Sequence, residues 1–382
     1  MRIPAVFVCL ASLIVAALPG VSSGGEPNQG DDVDVYAQTV ELVQQLGDEH
    51  FSIRERATSQ LIELGLPARQ ALEEGRQHAD REIRYRCERI LATVSELDFQ
   101  RRLAAFAAGR SDGEDELPGW KQFRAAFGDD GEARAFFVEM QKAEPEVLNA
   151  IANGPQGVGK VVDMRCAELQ QAQRISRQPI SLGSITTMLF AAGDKDVNLN
   201  FQTGSILCSF CYQADLQNAM LDATKKKFVR EMLGTWIKQG DGSAAYQTLA
   251  LAMRFELKEG LVPAVKILEN PGNQAYIRQN AILAIAKLGD DSHMKLLESL
   301  LGDESKCTTH RVKNVTYETQ IRDVALAAIV IMKKQDPKKI GFDRIQQNTS
   351  NVFSTSTVGF ENDEKRNKVL AKWKEFKATK KK

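Results

Sequence analysis

Apolar and polar positions follow one another along most of this chain with the period of an α-helix, and one apolar pattern comes back. In "FSIRERATSQLIELG" (residues 51–65) the positions Ile53, Ala57, Leu61 and Leu64 are separated by 4, 4 and 3 residues. "AYIRQNAILAIAKLG" (275–289) repeats that spacing at Ile277, Ala281, Ile285 and Leu288. Such steps place all four residues on one side of a helix. Two looser copies begin at Ile83, continuing through Cys87, Leu91 and Val94, and at Ile321, continuing through Ala325, Ile329 and Met332. An arginine follows the first isoleucine each time, at Arg54, Arg84, Arg278 and Arg322. The residue four positions after the isoleucine is always small, which lets a neighbouring helix approach closely while the larger residues fill the groove. A degenerate copy begins at Tyr246, with Ala250 and Leu257 at the matching offsets.

The separation is 30 residues from Ile53 to Ile83 and 31 from Tyr246 to Ile277. Companion helices are visible between the copies, in "LPARQALEEG", "LVPAVKILEN" and "DDSHMKLLESLLGD". Gly65 and Gly289 stand where a helix should stop, and Asp290 or Asp291 is placed to cap the next one. A two-helix unit at that period marks an α-solenoid, whose units bury their apolar faces only by stacking. The phrase IRxxAxxxLxxLG resembles the second-helix signature of HEAT repeats, an armadillo-like superhelix family. The match is close at 53–65 and 277–289, and looser at 83 and 321, where the terminal Leu-Gly is lost. The resemblance implies an all-α, HEAT/armadillo-like solenoid of antiparallel helix pairs, similar in layout to exported bacterial HEAT-repeat proteins of unknown function. It implies structural roles for the repeat positions, with the arginines bonding carbonyls or acidic groups on adjacent repeats rather than forming a ligand-binding row.

The rest of the chain has helical patterning without the signature. "GRSDGEDELPG" (109–119) reads as a polar linker, and the stretch after it as three short helices. Trp120, Phe123 and Phe127 fall on one helical face there, and Phe136, Phe137 and Met140 on another, a pattern of core positions. "TSNVFSTSTVGF" is polar and β-branched, an ordered loop rather than a helix. A final helix places Val369, Trp373 and Phe376 together and ends in a lysine-rich tail. The expected organisation is a signal peptide at 1–24, a disordered linker at 25–34, N-terminal helical repeats at 35–108 and a polar linker at 109–119. An irregular helical middle segment at 120–245, C-terminal HEAT-like repeats at 246–335, and a loop with a capping helix and basic tail at 336–382 complete it.

Charge and composition change this picture at the N-terminus. Arg2 precedes an apolar run from Ile3 to Leu18, followed by Pro19, Gly20 and small residues. That is the order of a secretory signal, with cleavage expected near Ser23 or Gly24. The other reading is an uncleaved anchor, against which stands the requirement of ~20 apolar residues to span a bilayer. Export, to a periplasmic or extracellular space, is therefore expected, without stable membrane insertion once the signal is removed. Formal charge is zero, with 50 basic and 50 acidic residues, so no global attraction to nucleic acid is expected.

Candidate chemistry is sparse. Cys208 and Cys211 have the CxxC spacing of a redox disulfide or half a zinc site, and Cys307 with His310 is the only second pair that could complete such a site. The flanking Ile206, Leu207, Phe210 and Tyr212 favour a third reading, two inert core residues. Gly154 to Lys160 satisfies GxxxxGK, but the preceding stretch reads as helix and Val161 stands where a phosphate-binding loop carries Ser or Thr. The four histidines, His50, His78, His293 and His310, form no metal-ligand or catalytic spacing. No catalytic residue, cofactor or metal is assigned. The expected function is a non-enzymatic scaffold offering a curved helical surface to a protein or peptide partner. The alternative is a solenoid-based enzyme or lyase-like factor with its site in residues 160–245, distinguished by a deep polar pocket with perturbed titratable groups.

Overall fold

The computed structural model describes residues 29–110, 116–240 and 245–379, so the signal peptide expected at 1–24 lies outside the described residues. The chain divides into two compact units, 1–101 and 102–382. The first contains α1 (Gln29–Gln45), α2 (Phe51–Leu64), α3 (Arg69–Gly75) and most of α4 (Arg81–Ala107), inside which the division falls. The disordered linker expected at 25–34 is corrected for residues 29–34, which are already helical in α1; no proline lies between Pro27 and Pro67 to interrupt that helix. The core of this unit joins Leu42 and Leu46 of α1 to Ala57 and Leu61 of α2, Leu72 of α3, and Ile83, Cys87 and Ile90 of α4. Cys87, the small residue of the second copy, lies where α3 and α4 nearly touch: a Cβ on Gly75 would stand 2.6 Å from its sulfur.

The second unit continues with α5 (Trp120–Phe127), α6 (Gly131–Ala143), α7 (Pro145–Ala152), α8 (Val158–Ser176) and α9 (Leu182–Ala192). It goes on through α10 (Phe201–Phe210), α11 (Ala214–Ala219), α12 (Lys226–Gln239) and α13 (Ala245–Phe255). Next come α14 (Leu261–Glu269), α15 (Ala275–Leu288), α16 (Met294–Ser299), α17 (Ile321–Met332), α18 (Pro337–Ile340) and α19 (Asp363–Thr379). The three short helices expected after residue 119 are α5, α6 and α7. Helix starts follow local chemistry: Asp130, Ser181 and Asn200 each accept the backbone N–H three residues on, satisfying one of the donors a helix N-terminus leaves open.

In the small-residue positions Ala57, Cys87, Ala281 and Ala325 no surface is exposed. Helix α15 is sandwiched among α13, α14 and α17, so Ala281 has neighbours in several directions. Enlarging it to Leu is expected to cost ~1–3 kcal/mol through overpacking, read as a lowered denaturation midpoint; an unchanged midpoint would mean the face is open. The degenerate copy is corrected. In α13 the buried residues include Thr248, Leu249, Ala252 and Met253, and Ala250 is only half-buried. The reason is Gly260, whose missing Cβ leaves room for the Ala252 methyl; the close crossing falls two residues later than the alignment of copies places it.

The all-α expectation holds for most of the chain and fails within 246–335. Residues 306–320 form an antiparallel hairpin, β1 (Lys306–Val312) and β2 (Val315–Gln320), with Val312 opposite Val315 across a two-residue Lys313–Asn314 turn. Lys313 has φ 55°, the left-handed backbone that two-residue hairpin turns require. Thr308, Thr309, Val312, Val315, Thr316 and Tyr317 suit strands better than helix. The hairpin leaves and rejoins the helices at one place: Ile321 N–H donates to Ser305 O and Arg322 N–H to Asp303 O, both at 3.0 Å. The loop expected near 349–360 is ordered around a smaller hairpin, β3 (Gln347–Asn348) and β4 (Val352–Phe353), and a 3-10 turn at Thr355–Thr357.

The base of the first hairpin is held by a buried polar network. Asp323 accepts Arg366 Nε on both oxygens, at 2.9 and 3.1 Å, and the Gln320 N–H at 2.9 Å. Arg366 also donates to Glu318 O at 2.8 Å and to Asp363. The two charged partners are 1% and 2% exposed at their side chains. Burial pushes the Asp323 carboxyl up to about 6, against the opposing pull of the Gln320 N–H and the two arginines beside it.

Candidate functional site

Phe123 is the centre of an aromatic cluster in the middle segment. Its ring lies 4.6 to 6.5 Å from those of Trp120, Phe127, Phe136, Phe137, Phe190 and Phe228. The spacing of Trp120, Phe123 and Phe127 puts them on one face of α5, as expected. Phe190 comes from the end of α9 and Phe228 from α12, so the cluster joins elements a hundred residues apart.

Beside this cluster opens a cavity of about 410 Å³. Phe127, Val158, Phe190 and Met232 supply apolar wall, and Asp194 and Glu231 supply carboxylates. The turn joining α7 to α8 forms one lip, with Gly154 and Gly157 at φ 103° and 85°. This is the GxxxxGK stretch: Gly154 and Gly157 serve a helix-to-helix turn preceded by α7, not by a strand, and Gly159 lies in the first turn of α8, where the Asn198 backbone leaves no room for a Cβ. Gln122 braces the lip by donating to Ile151 O at 3.1 Å. The volume is that of a small-ligand or side-chain pocket, apolar with few polar groups.

A more polar cavity of about 600 Å³ lies on another side of α9, lined by Glu139, Lys142, Ser181, Asp215, Asp222 and Lys225 among others. Behind it a hydroxyl relay runs inward. Ser181 Oγ donates to Ser184 Oγ at 3.0 Å, and Ser184 Oγ donates to Glu144 Oε1 at 2.7 Å. Glu144 is 3% exposed, and its other oxygen accepts Arg165 Nε at 2.7 Å. The relay ends on a carboxylate already neutralised by an arginine, and Ser181 is the N-cap of α9. Lys225 is held by Glu139 at 2.7 Å, and the hydroxyl and amide of Thr224, with the Lys225 N–H, keep the Asp222 carboxyl below its ordinary range. These bonds organise helix ends; residues 160–245 contain no histidine to act as base for a serine.

Cys208 and Cys211 occupy the end of α10 and the position capping it. Both are buried, and all five cysteines of the described residues are free thiols. Burial pushes the Cys208 thiol up to about 12 and the Cys211 thiol well above the ordinary range. A thiolate is disfavoured there, which does not suit a reactive redox pair. Alkylation of the native protein by iodoacetamide at pH 7.5 is expected to leave both cysteines unmodified, with labelling only on unfolding; rapid modification by mass spectrometry would reverse this reading. Cys307 and His310 lie on β1, and among the described residues no group of three or more His, Cys, Asp and Glu is arranged to hold a metal ion.

The repeated arginines divide into two pairs. Arg54 Nη1 donates to Asp48 O and Glu49 O, at 2.7 and 3.0 Å. Arg84 Nη1 does the same with His78 O and Ala79 O, both at 2.7 Å. Each thus ties down the turn that leads into its own helix. Arg278 pairs with Asp303 at 2.5 Å and Arg322 with Glu304 at 2.7 Å, so the later pair grips the segment entering the hairpin. Ile277 and Ile321 are buried at the head of their helices, Ile83 likewise, and Ile53 is half-buried; Ile285 and Leu61 are buried about two turns further on.

Sequence reasoning missed the cavity and the Asp323–Arg366 pair. Phe190, half-buried at the end of the otherwise buried run Leu182–Leu189, is one residue by which α9 reaches the cavity, and no local spacing in the sequence marks it. Among the described residues no helix is long and apolar enough to cross a membrane. No protein-family model, curated protein or solved structure matches the chain.

Proposed function

We propose that this chain is an exported, non-enzymatic interaction scaffold built as a HEAT-like α-solenoid, and that it binds a protein or peptide partner by seating an apolar side chain in the 410 Å³ cavity beside Phe127 and Phe190. The observation that carries this reading is the composition of that cavity: aromatic and aliphatic walls with Asp194 and Glu231 among the lining residues. Such a site suits an apolar anchor flanked by a basic residue. The solenoid reading rests on the recurring helix pairs and on the packing of α15 between α13, α14 and α17. Export rests on the order of charged, apolar and small residues before residue 25. The binding role rests on the apolar lining of that cavity, which suits an inserted side chain.

Ala126 lies on the exposed side of α5 and lines the cavity, so Ala126→Trp blocks the site without entering the core. Affinity capture from the native envelope fraction is expected to recover a partner with the wild-type chain and not with this variant. A labelled peptide from the recovered partner, holding Phe or Leu next to Lys, should bind the variant at least ~10-fold more weakly, a difference of about 1.4 kcal/mol. Equal capture by both chains would overturn the cavity as the anchor. A native protein found only with the cytoplasmic fraction would overturn export.

A further inference from the structure

A second cavity with different chemistry lies at the C-terminal end of the second unit. It measures about 600 Å³ and is bounded by the segment 340–344, the segment 357–361 and one face of α19. Its apolar surface comes from Phe342 and Phe360, whose ring centroids are 5.6 Å apart, with Val358 and Val369. Its charged wall is predominantly basic. Lys365, Lys368 and Lys372 follow one another at steps of three and four along α19 and all line the cavity. Opposite them, the guanidinium of Arg344 lies 3.5 Å from the centroid of the Tyr317 ring.

The balance of charge inside this cavity is unequal. Glu361 accepts Lys365 Nζ at 2.7 Å and the Tyr317 hydroxyl at 3.3 Å, and so is already engaged. Lys368 is held by Glu364 at 2.7 Å, on the exposed surface of the helix. Asp343 also lines the cavity. Arg344 Nη1 is buried and has no hydrogen-bond partner. The Tyr317 ring and the nearby Glu361 carboxylate offset part of the cost of burying this guanidinium, but its Nη1 corner still lacks an acceptor, which an incoming anion would supply as a charge-assisted hydrogen bond. Lys372 is exposed and adds a further positive charge at the same cavity.

We infer that this cavity binds a terminal carboxylate on an apolar stem, with the anion toward Arg344 and Lys372 and the stem over Phe342 and Phe360. A cationic wall beside an aromatic floor recognises both parts of such a molecule, and neither part alone explains the arrangement. The same chemistry occurs in a free amphiphilic acid and at the C-terminus of a peptide ending in an apolar residue. The cavity is separate from the one beside Phe127, and this inference stands whether or not that site binds a partner.

The test is calorimetric titration of the full chain with three probes: 4-phenylbutyrate, the peptide Gly-Ala-Ala-Phe with a free carboxylate, and the same peptide as its C-terminal amide. Saturable binding of either acid is expected, weakening as salt is raised, with no binding of the amide. Stronger binding of the peptide acid than of phenylbutyrate identifies a chain terminus as the ligand source, and the reverse order a free acid. Arg344→Gln and Lys372→Glu are each expected to weaken the bound acid by ~10-fold or more, the scale of losing a charged contact. Lys372 is exposed, so its variant carries the test if Arg344→Gln fails to fold. Binding of the amide equal to the acid, unchanged affinity in a folded Lys372→Glu chain, or no saturable binding of either acid would overturn the inference.

Discussion

Arg366→Met will lower the unfolding free energy of the second unit by about 3–5 kcal/mol at pH 7.5, because it strands a buried carboxylate. In the native protein Arg366 satisfies both oxygens of Asp323, the Glu318 carbonyl and Asp363. Methionine fills similar volume and leaves the Asp323 charge with the Gln320 N–H as its closest remaining donor. The pH dependence identifies the mechanism. The folded-state value of Asp323 already stands at about 6, above the 3.8 of an unperturbed aspartate. A carboxyl whose folded value is raised binds its proton more readily in the native chain than in the unfolded one. Its contribution to stability is therefore largest below about pH 4 and is lost as pH rises through 4 to 6. Removing the arginine raises the folded value further and extends that window upward. The variant should thus recover part of its deficit relative to wild type between pH 7.5 and pH 5, measured by urea unfolding. A deficit that is the same at both pH values would assign the loss to packing alone. Asp323→Asn in the same background should remove most of the pH dependence.

Phe123→Ala is expected to destabilise the second unit by about 3–5 kcal/mol, through lost burial and the cavity left behind. The residue has no exposed surface, and its ring has six aromatic neighbours within 6.5 Å. The site has little means of collapsing, because the surrounding rings belong to α5, α6, α9 and α12 and are fixed by separate contacts. Phe127→Ala, at a half-buried residue on the cavity wall, should cost clearly less. Chemical denaturation of both variants provides the comparison, and a loss below about 1 kcal/mol for Phe123→Ala would mean that the cluster is loosely packed.

These two residues show what the sequence made legible and what it did not. Phe123 could be assigned to a core face because Trp120 and Phe127 flank it at helical spacing, a purely local signal. Ala281 and Cys87 were legible for the same reason, and the helix stop at Gly65 and the cap at Asp290 follow from neighbouring residues. The Asp323–Arg366 pair was not legible, since 43 residues separate partners that ordinary charged helix faces would equally explain. The cavities were illegible on the same grounds: Phe127, Val158, Phe190 and Met232 meet only through tertiary packing. The β1–β2 hairpin is a different case. Its β-branched run and Lys-Asn turn were present in the sequence, but the expectation of continuous repeats across 246–335 overrode them. The displaced register of α13 has a third cause, a crossing point set by a missing methyl at Gly260, which no periodicity within α13 itself encodes.

That hairpin has a consequence for how the protein can be altered. Its strands begin and end beside each other at Ser305 and Ile321, and residues 309–316 around the tip are exposed. Added length at Lys313–Asn314 therefore leaves both anchoring hydrogen bonds and the Asp323–Arg366 clamp in place. The entropic penalty of lengthening a flexible loop rises slowly, by roughly 0.6 kcal/mol for each doubling. The tip is thus a port for foreign sequence: an epitope, a fluorophore-bearing cysteine or a crosslinker can be grafted there, on a chain whose helices need not register the change.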